Sequence, residues 1–156
     1  MEQQVTDLRV YVASKSKYGG MWQEWRAAWS GVEAADGSGL QVVSSWIDEY
    51  RAGETDDFTD LWRRCIDEVT AADLVIAYYR NGDEWKGAFI EIGAALATNT
   101  PVYLVGRPPG SWVNHPLVSF ASDPDDAVAD FAARWKPANG PERERVPAPC
   151  IPEELS

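Results

Sequence analysis

In the segment Lys86-Gly-Ala-Phe-Ile-Glu-Ile-Gly-Ala-Ala-Leu-Ala97 one carboxylate stands alone, since Glu91 is the only charged residue between Lys86 and Arg107. A carboxylate so placed has either a structural or a chemical role. It stabilises a helix N-terminus, which is worth about 0.3–1 kcal/mol, or is merely solvated on the surface; in the second reading it meets a developing cation as nucleophile or electrostatic partner. Gly87, Gly93 and the alanines permit close approach of backbone and ligand, which favours the second reading. Asp83 and Glu84, in the polar loop just upstream, can reach the same place, and Asp83 is the candidate second acid.

Donors and flat rings occupy neighbouring loop positions. Ser14, Ser44 and Ser45, with Lys15, Lys17 and Lys86, offer hydroxyl and ammonium donors suited to a phosphate, although loops hold such residues in any protein. Tyr78, Tyr79 and Trp85 have faces on which an aromatic base can stack. Strand alternation lets at most one of the two tyrosines be free, and Tyr79 is the candidate. His115, the only imidazole, reads as a loop residue rather than a catalyst.

These residues need elements to position them. Residues 8–14 read as a strand ending in a glycine-bearing loop, and Trp22, Trp25 and Trp29 recur at helical spacing as a core-facing stripe over 21–30. Residues 40–45 form a second strand and 46–56 a loop. Phe58, Leu61, Trp62, Cys65, Ile66 and Val69 make an amphipathic helix capped by Asp56 or Asp57. The apolar run 73–79 reads as a central strand covered on both faces. A helix over 88–98 follows, with Phe89, Ile92, Gly93 and Leu96 on its inner face. Then come a strand at 102–105, a short strand at 117–120 and a last helix entered through Asp123-Pro124.

Strands alternating with helices predict an α/β fold, a Rossmann-like doubly wound parallel sheet of five strands. Ligands in such sheets bind beyond the carboxyl ends of the strands, here the loops starting near Ser14, Ser44, Tyr79 and Val105. Residues 1–136 are expected to form this single domain, and the proline-rich stretch 137–156 an extended or disordered tail.

Composition narrows the chemistry. Of the 156 residues 14 are Lys or Arg and 25 Asp or Glu, a net charge of −11, which repels polymeric DNA or RNA. Two distant cysteines, Cys65 and Cys150, and one histidine make neither a disulfide framework nor a metal site, and no cofactor is expected. The polar, acidic start and the lack of a long apolar run predict a cytoplasmic protein that does not engage a membrane. A Gly-x-Gly-x-x-Gly turn is absent, which disfavours dinucleotide redox chemistry.

Three stretches carry a family resemblance: Arg9-Val-Tyr-Val-Ala-Ser14, Ala72-Asp-Leu-Val-Ile-Ala-Tyr78, and Gly87 to Ala97 followed by Pro101-Val102. In this order the chain resembles the nucleoside 2-deoxyribosyltransferases and the related nucleoside-monophosphate N-glycosidases. The resemblance implies a flavodoxin-like sheet of order 2-1-3-4-5, a nucleophile at Glu91 and an orienting tyrosine at Tyr11. It also implies a small nucleoside or nucleotide as ligand, bound by residues such as Ser14, Ser44, Ser45, Tyr79, Trp85, Lys86 and Gly87, and assembly into a homo-oligomer. Where the family offers an aspartate near the base, this chain reads Arg64-Cys65-Ile66, and Trp85-Lys86 stands where two aspartates often precede the glycine. These changes favour hydrolysis over base exchange. A non-catalytic nucleotide-binding module and cleavage of NAD or a related dinucleotide are the alternatives.

Overall fold

The computed structural model describes residues 7–49 and 57–135. The expected tail, Cys150 and Asp56 lie outside the described residues. The elements are β1 (Leu8–Ala13), α1 (Gly19–Ala28), β2 (Leu40–Val42), α2 (Phe58–Ala71), β3 (Leu74–Tyr78), α3 (Gly87–Ala97), β4 (Val102–Val105), β5 (Val118–Ala121) and α4 (Pro124–Arg134). The segment after β2, expected to be a loop, makes a 3-10 turn at Ser45–Asp48.

All five strands are parallel, in the order β2-β1-β3-β4-β5. This is the doubly wound α/β sheet expected from the alternation of elements. The core strands β1, β3 and β4 are almost wholly buried because helices cover both faces. Helices α2 and α3 pack together over β1 on one face. On the other, α4 lies over β3 and β4, and the Trp29 indole N–H, just past α1, donates to Asp125 of α4 at 3.2 Å. The tryptophan stripe of α1 is core, as its spacing predicts: Trp22 and Trp29 are fully buried and Trp25 stacks on Trp29.

Helix starts follow the acids. Asp57 accepts the Asp60 N–H at 2.9 Å and Asp123 the Asp126 N–H at 2.7 Å, each satisfying a donor that the first turn leaves free. Helix α3 has no side-chain cap. Its inner face also departs from expectation. Ala88, Glu91, Ile92 and Ala95 are buried, whereas Phe89 is 40% exposed and Gly93 is open. A helix that is apolar on nearly every side gives no single direction from size alone. Its alanines let it sit close to the sheet, and Phe89 turns instead to the rings of Trp85 and Trp112.

Gly106 closes the carboxyl end of β4 with φ +98, and a Cβ there would stand 2.0 Å from the Tyr79 carbonyl oxygen. Only glycine accepts both the torsion and the contact. Gly106→Ala is expected to cost about 1–3 kcal/mol, read as a lower urea midpoint with unchanged slope. A midpoint equal to the parent's would show that β3 and β4 do not depend on this contact.

Candidate active site

The parallel register sets Tyr11 opposite Val75, on the β1 face that α2 and α3 cover. Its side chain is fully buried and meets Glu91 of α3 and Cys65 of α2. Glu91 occupies a core position of α3 and is only 7% exposed. The tyrosine hydroxyl and the carboxyl interact directly, each shifting the other's ionisation. Yet neither Tyr11 Oη nor Glu91 Oε2 completes a hydrogen bond of ordinary geometry. A buried polar atom left so costs about 1–3 kcal/mol, and such a cost concentrates where a ligand or a reaction uses the group.

Burial pushes the Glu91 carboxyl up to about 7; the Tyr11 hydroxyl opposes the rise and the charge of Glu68 adds to it. Burial, and after it the Glu91 charge, raises the Tyr11 phenol far above its ordinary value, so Tyr11 stays protonated and acts as a donor. Burial likewise pushes the Cys65 thiol up to about 11, with Tyr11 opposing. The cysteine is free, and it is a neutral neighbour rather than a thiolate.

The two oxygens of Glu91 face different surroundings. Oε2 is sealed inside, whereas Oε1 lies 3.6 Å from the place a Cβ on Gly87 would take. That place is also 2.9 Å from Cη2 of Trp62, whose ring stands 36% exposed at the start of α2. Glycine at 87 therefore lets the Trp62 ring lie against the start of α3, close to Oε1. Trp62 had been expected on the buried stripe of its helix, but the first turns of α2 hold Phe58 and Trp62 out toward solvent. Apolar periodicity could not separate a core ring from one at the rim of a site.

The remaining sequence candidates are divided. Ser44 is buried and accepts the Val12 N–H at 2.7 Å, tying the end of β2 to β1. Ser14 accepts the Trp22 indole N–H at 2.8 Å, and Ser45 donates to Glu68 at 3.1 Å and accepts from Arg64 at 2.7 Å. All three hydroxyls serve the framework. Tyr79 and Trp85 pack edge to face at 5.3 Å in a cluster with Phe89 and Trp112. Tyr78 meets Tyr18 and Trp22. Lys86 is exposed at the α3 start, and His115 accepts the Leu117 N–H at 3.1 Å within its own loop.

Asp83 joins two loops instead of facing Glu91. Its carboxylate accepts the Tyr18 hydroxyl at 3.0 Å and the Arg80 N–H at 3.0 Å, and pairs with Lys17 at 3.4 Å. Burial works against its charge, but these donors outweigh it and hold the carboxyl below its usual range. A residue so held keeps the β1–α1 and β3–α3 loops together and is poorly suited to give up a proton. Asp83→Ala should destabilise the fold by about 1–3 kcal/mol, seen as a lowered melting temperature; an unchanged one would dismiss the clamp.

Glu68 is a carboxylate that the sequence did not single out. It shares the inner side of α2 with Leu61 and Cys65, and burial raises its pKa despite the Ser45 donors. Nothing in the spacing of α2 distinguishes it from the solvated acids around it. Among the described residues no group of His, Cys, Asp or Glu could hold a metal ion, and no helix is long and apolar enough to cross a membrane.

Fold and site together define a doubly wound α/β domain with a buried carboxyl–phenol pair between a central strand and α3. No family model and no curated protein matches the chain. Two solved structures are similar to it. A CMP N-glycosidase from Clostridium botulinum, BcmB, has 16% identity and a TM-score of 0.45, with 79% of this chain and 97% of that one covered. A 2-desoxiribosyltransferase from Leishmania mexicana has 14% identity and a TM-score of 0.45, with 89% of this chain and 81% of that one covered.

Proposed function

We propose that the chain is an enzyme that cleaves the N-glycosidic bond of a nucleoside or nucleoside 5′-monophosphate, with Glu91 as nucleophile. One observation supports this above the others: a carboxyl only 7% exposed, held in the core directly beside a protonated tyrosine. Burial weakens the hydration of the carboxylate, so a cationic sugar is a partner it meets at little further desolvation cost.

In the first step Oε1 forms a bond to C1′ as the C1′–N bond breaks, and the bonding pair leaves with the base. Tyr11 donates toward the carboxyl group and so holds its rotamer. In the second step water attacks C1′ and the C1′–Oε1 pair returns to the carboxylate. The water hydroxyl ends on C1′ and its proton, in net, on the base. Double displacement retains the anomeric configuration. Hydrolysis is favoured over transfer because Arg64-Cys65-Ile66 and Trp85-Lys86 stand where the family the chain resembles offers aspartates near the base.

The test is to incubate the protein with the common nucleosides, their 5′-monophosphates and NAD and to follow free base by chromatography. Release from a nucleoside or monophosphate supports the reading. Binding without release would make the chain a nucleotide-binding module, and release from NAD alone would move the activity to dinucleotides.

A further inference from the structure

The Tyr11 hydroxyl is fully buried, and among the described residues two polar side chains reach it: the Glu91 carboxyl from α3 and the Cys65 thiol from α2. Neither closes a hydrogen bond of ordinary geometry with it. Cys65 is free, only 4% exposed, and its thiol stays neutral. Glu68, on the same side of α2, accepts from the Ser45 N–H and hydroxyl, and Arg64 donates to that hydroxyl at 2.7 Å. From the sheet, β3 brings only apolar side chains before Tyr78, and Tyr103 of β4 turns to Asp130 of α4.

A phenol has one proton to give, and an ionised carboxylate only accepts. While Glu91 is ionised, the Tyr11 proton points to the carboxylate and the Cys65 proton has the phenol oxygen to point to. Once Glu91 takes up a proton, its own O–H donates to the phenol oxygen, and the phenol proton needs a new acceptor. The sulfur is the one within reach. The chain of donors reverses, and no buried donor is left over. Forming the sugar ester likewise removes the charge that draws the phenol proton, and the sulfur again accepts.

We propose that Cys65 is a positioning residue: its thiol holds the Tyr11 hydroxyl in register with Glu91 while that carboxyl passes between its charged and neutral forms. The inference rests on Glu91 being the nucleophile.

A cysteine that only packs is replaced well by valine, which has nearly its volume, and poorly by serine, which puts a hydroxyl in the core. A positioning cysteine shows the reverse, because serine both donates and accepts. The readout is the ionisation of Glu91 itself, followed by NMR of the glutamate carboxyl carbons in the labelled full chain, with Glu91→Gln identifying the resonance. Without the sulfur the neutral form of Glu91 leaves the phenol proton unpaired, so that form loses more. Cys65→Val and Cys65→Ala should therefore titrate about one pH unit below the parent, and Cys65→Ser within about a third of a unit of it. The acidic limb of kcat/KM should move with each. A Cys65→Val chain that titrates with the parent, or a Cys65→Ser chain that shifts as far as Cys65→Val, overturns the inference. If the fold does not accept valine, Cys65→Ala against Cys65→Ser decides on the same terms. Failure of the parent reading looks different: the titrations follow the expected order, yet the unaltered chain releases no base, or its acidic limb does not follow them.

Discussion

Glu91→Gln is expected to lower base release by at least about a thousandfold while leaving ligand affinity within a few fold. Glutamine keeps the volume and one acceptor oxygen in a position that is only 7% exposed, so packing against Tyr11 and Cys65 is preserved. It has no negative charge to meet a cationic sugar and forms no reactive ester. The loss therefore falls on the chemical step and not on binding. Single-turnover rates and calorimetry on the same preparation separate the two. Near-parental release by the variant would remove Glu91 as nucleophile and bring Glu68 forward, since it is the other carboxylate whose charge is felt at this site.

The second large effect is on pH, and it acts in opposite senses on activity and stability. With the Glu91 carboxyl pushed up to about 7, only its ionised form attacks, so kcat/KM should fall by about tenfold per unit below that pH. Stability runs the other way. The folded state binds this proton more tightly than the unfolded chain, whose glutamate titrates near 4.3. Its contribution is thus fully present below about 4.3 and is lost as the pH rises through the folded value. The neutral Glu91→Gln variant escapes this loss. By pH 8 it should exceed the parent in stability by on the order of 3 kcal/mol, with a melting temperature several degrees higher, while at pH 4 the two should melt together. A gap that does not widen between pH 4 and pH 8 would place the Glu91 titration elsewhere.

The alternation of apolar strands with amphipathic helices was enough to reach a five-stranded parallel sheet, because local periodicity reports which faces are buried and crossovers have one hand. It was also enough to isolate Glu91, a charge alone in an apolar helix. Helix caps at Asp57 and Asp123 were legible for the same reason, since the interaction spans only three residues. The orientation of α3 was not, because Phe89 and Ala88 both satisfy an apolar pattern and only packing against the sheet decides which turns inward.

Partnerships across distant segments were equally closed to sequence reading. Asp83 looked like a loop acid near the nucleophile, but Tyr18, 65 positions away, claims it. Ser44 looked like a loop hydroxyl, and its oxygen accepts the N–H of Val12, 32 positions away. Trp62 looked like core, yet its ring stands 36% exposed against Gly87 at the start of α3. The sequence by itself determined the layers and the lone carboxylate, both consequences of short-range pattern. Only the tertiary structure decided which polar groups found partners at a distance in the chain and which, like Tyr11 Oη and Glu91 Oε2, were buried together in the core. Hydrogen-bond satisfaction depends on neighbours brought together in space, and one-dimensional spacing does not encode them.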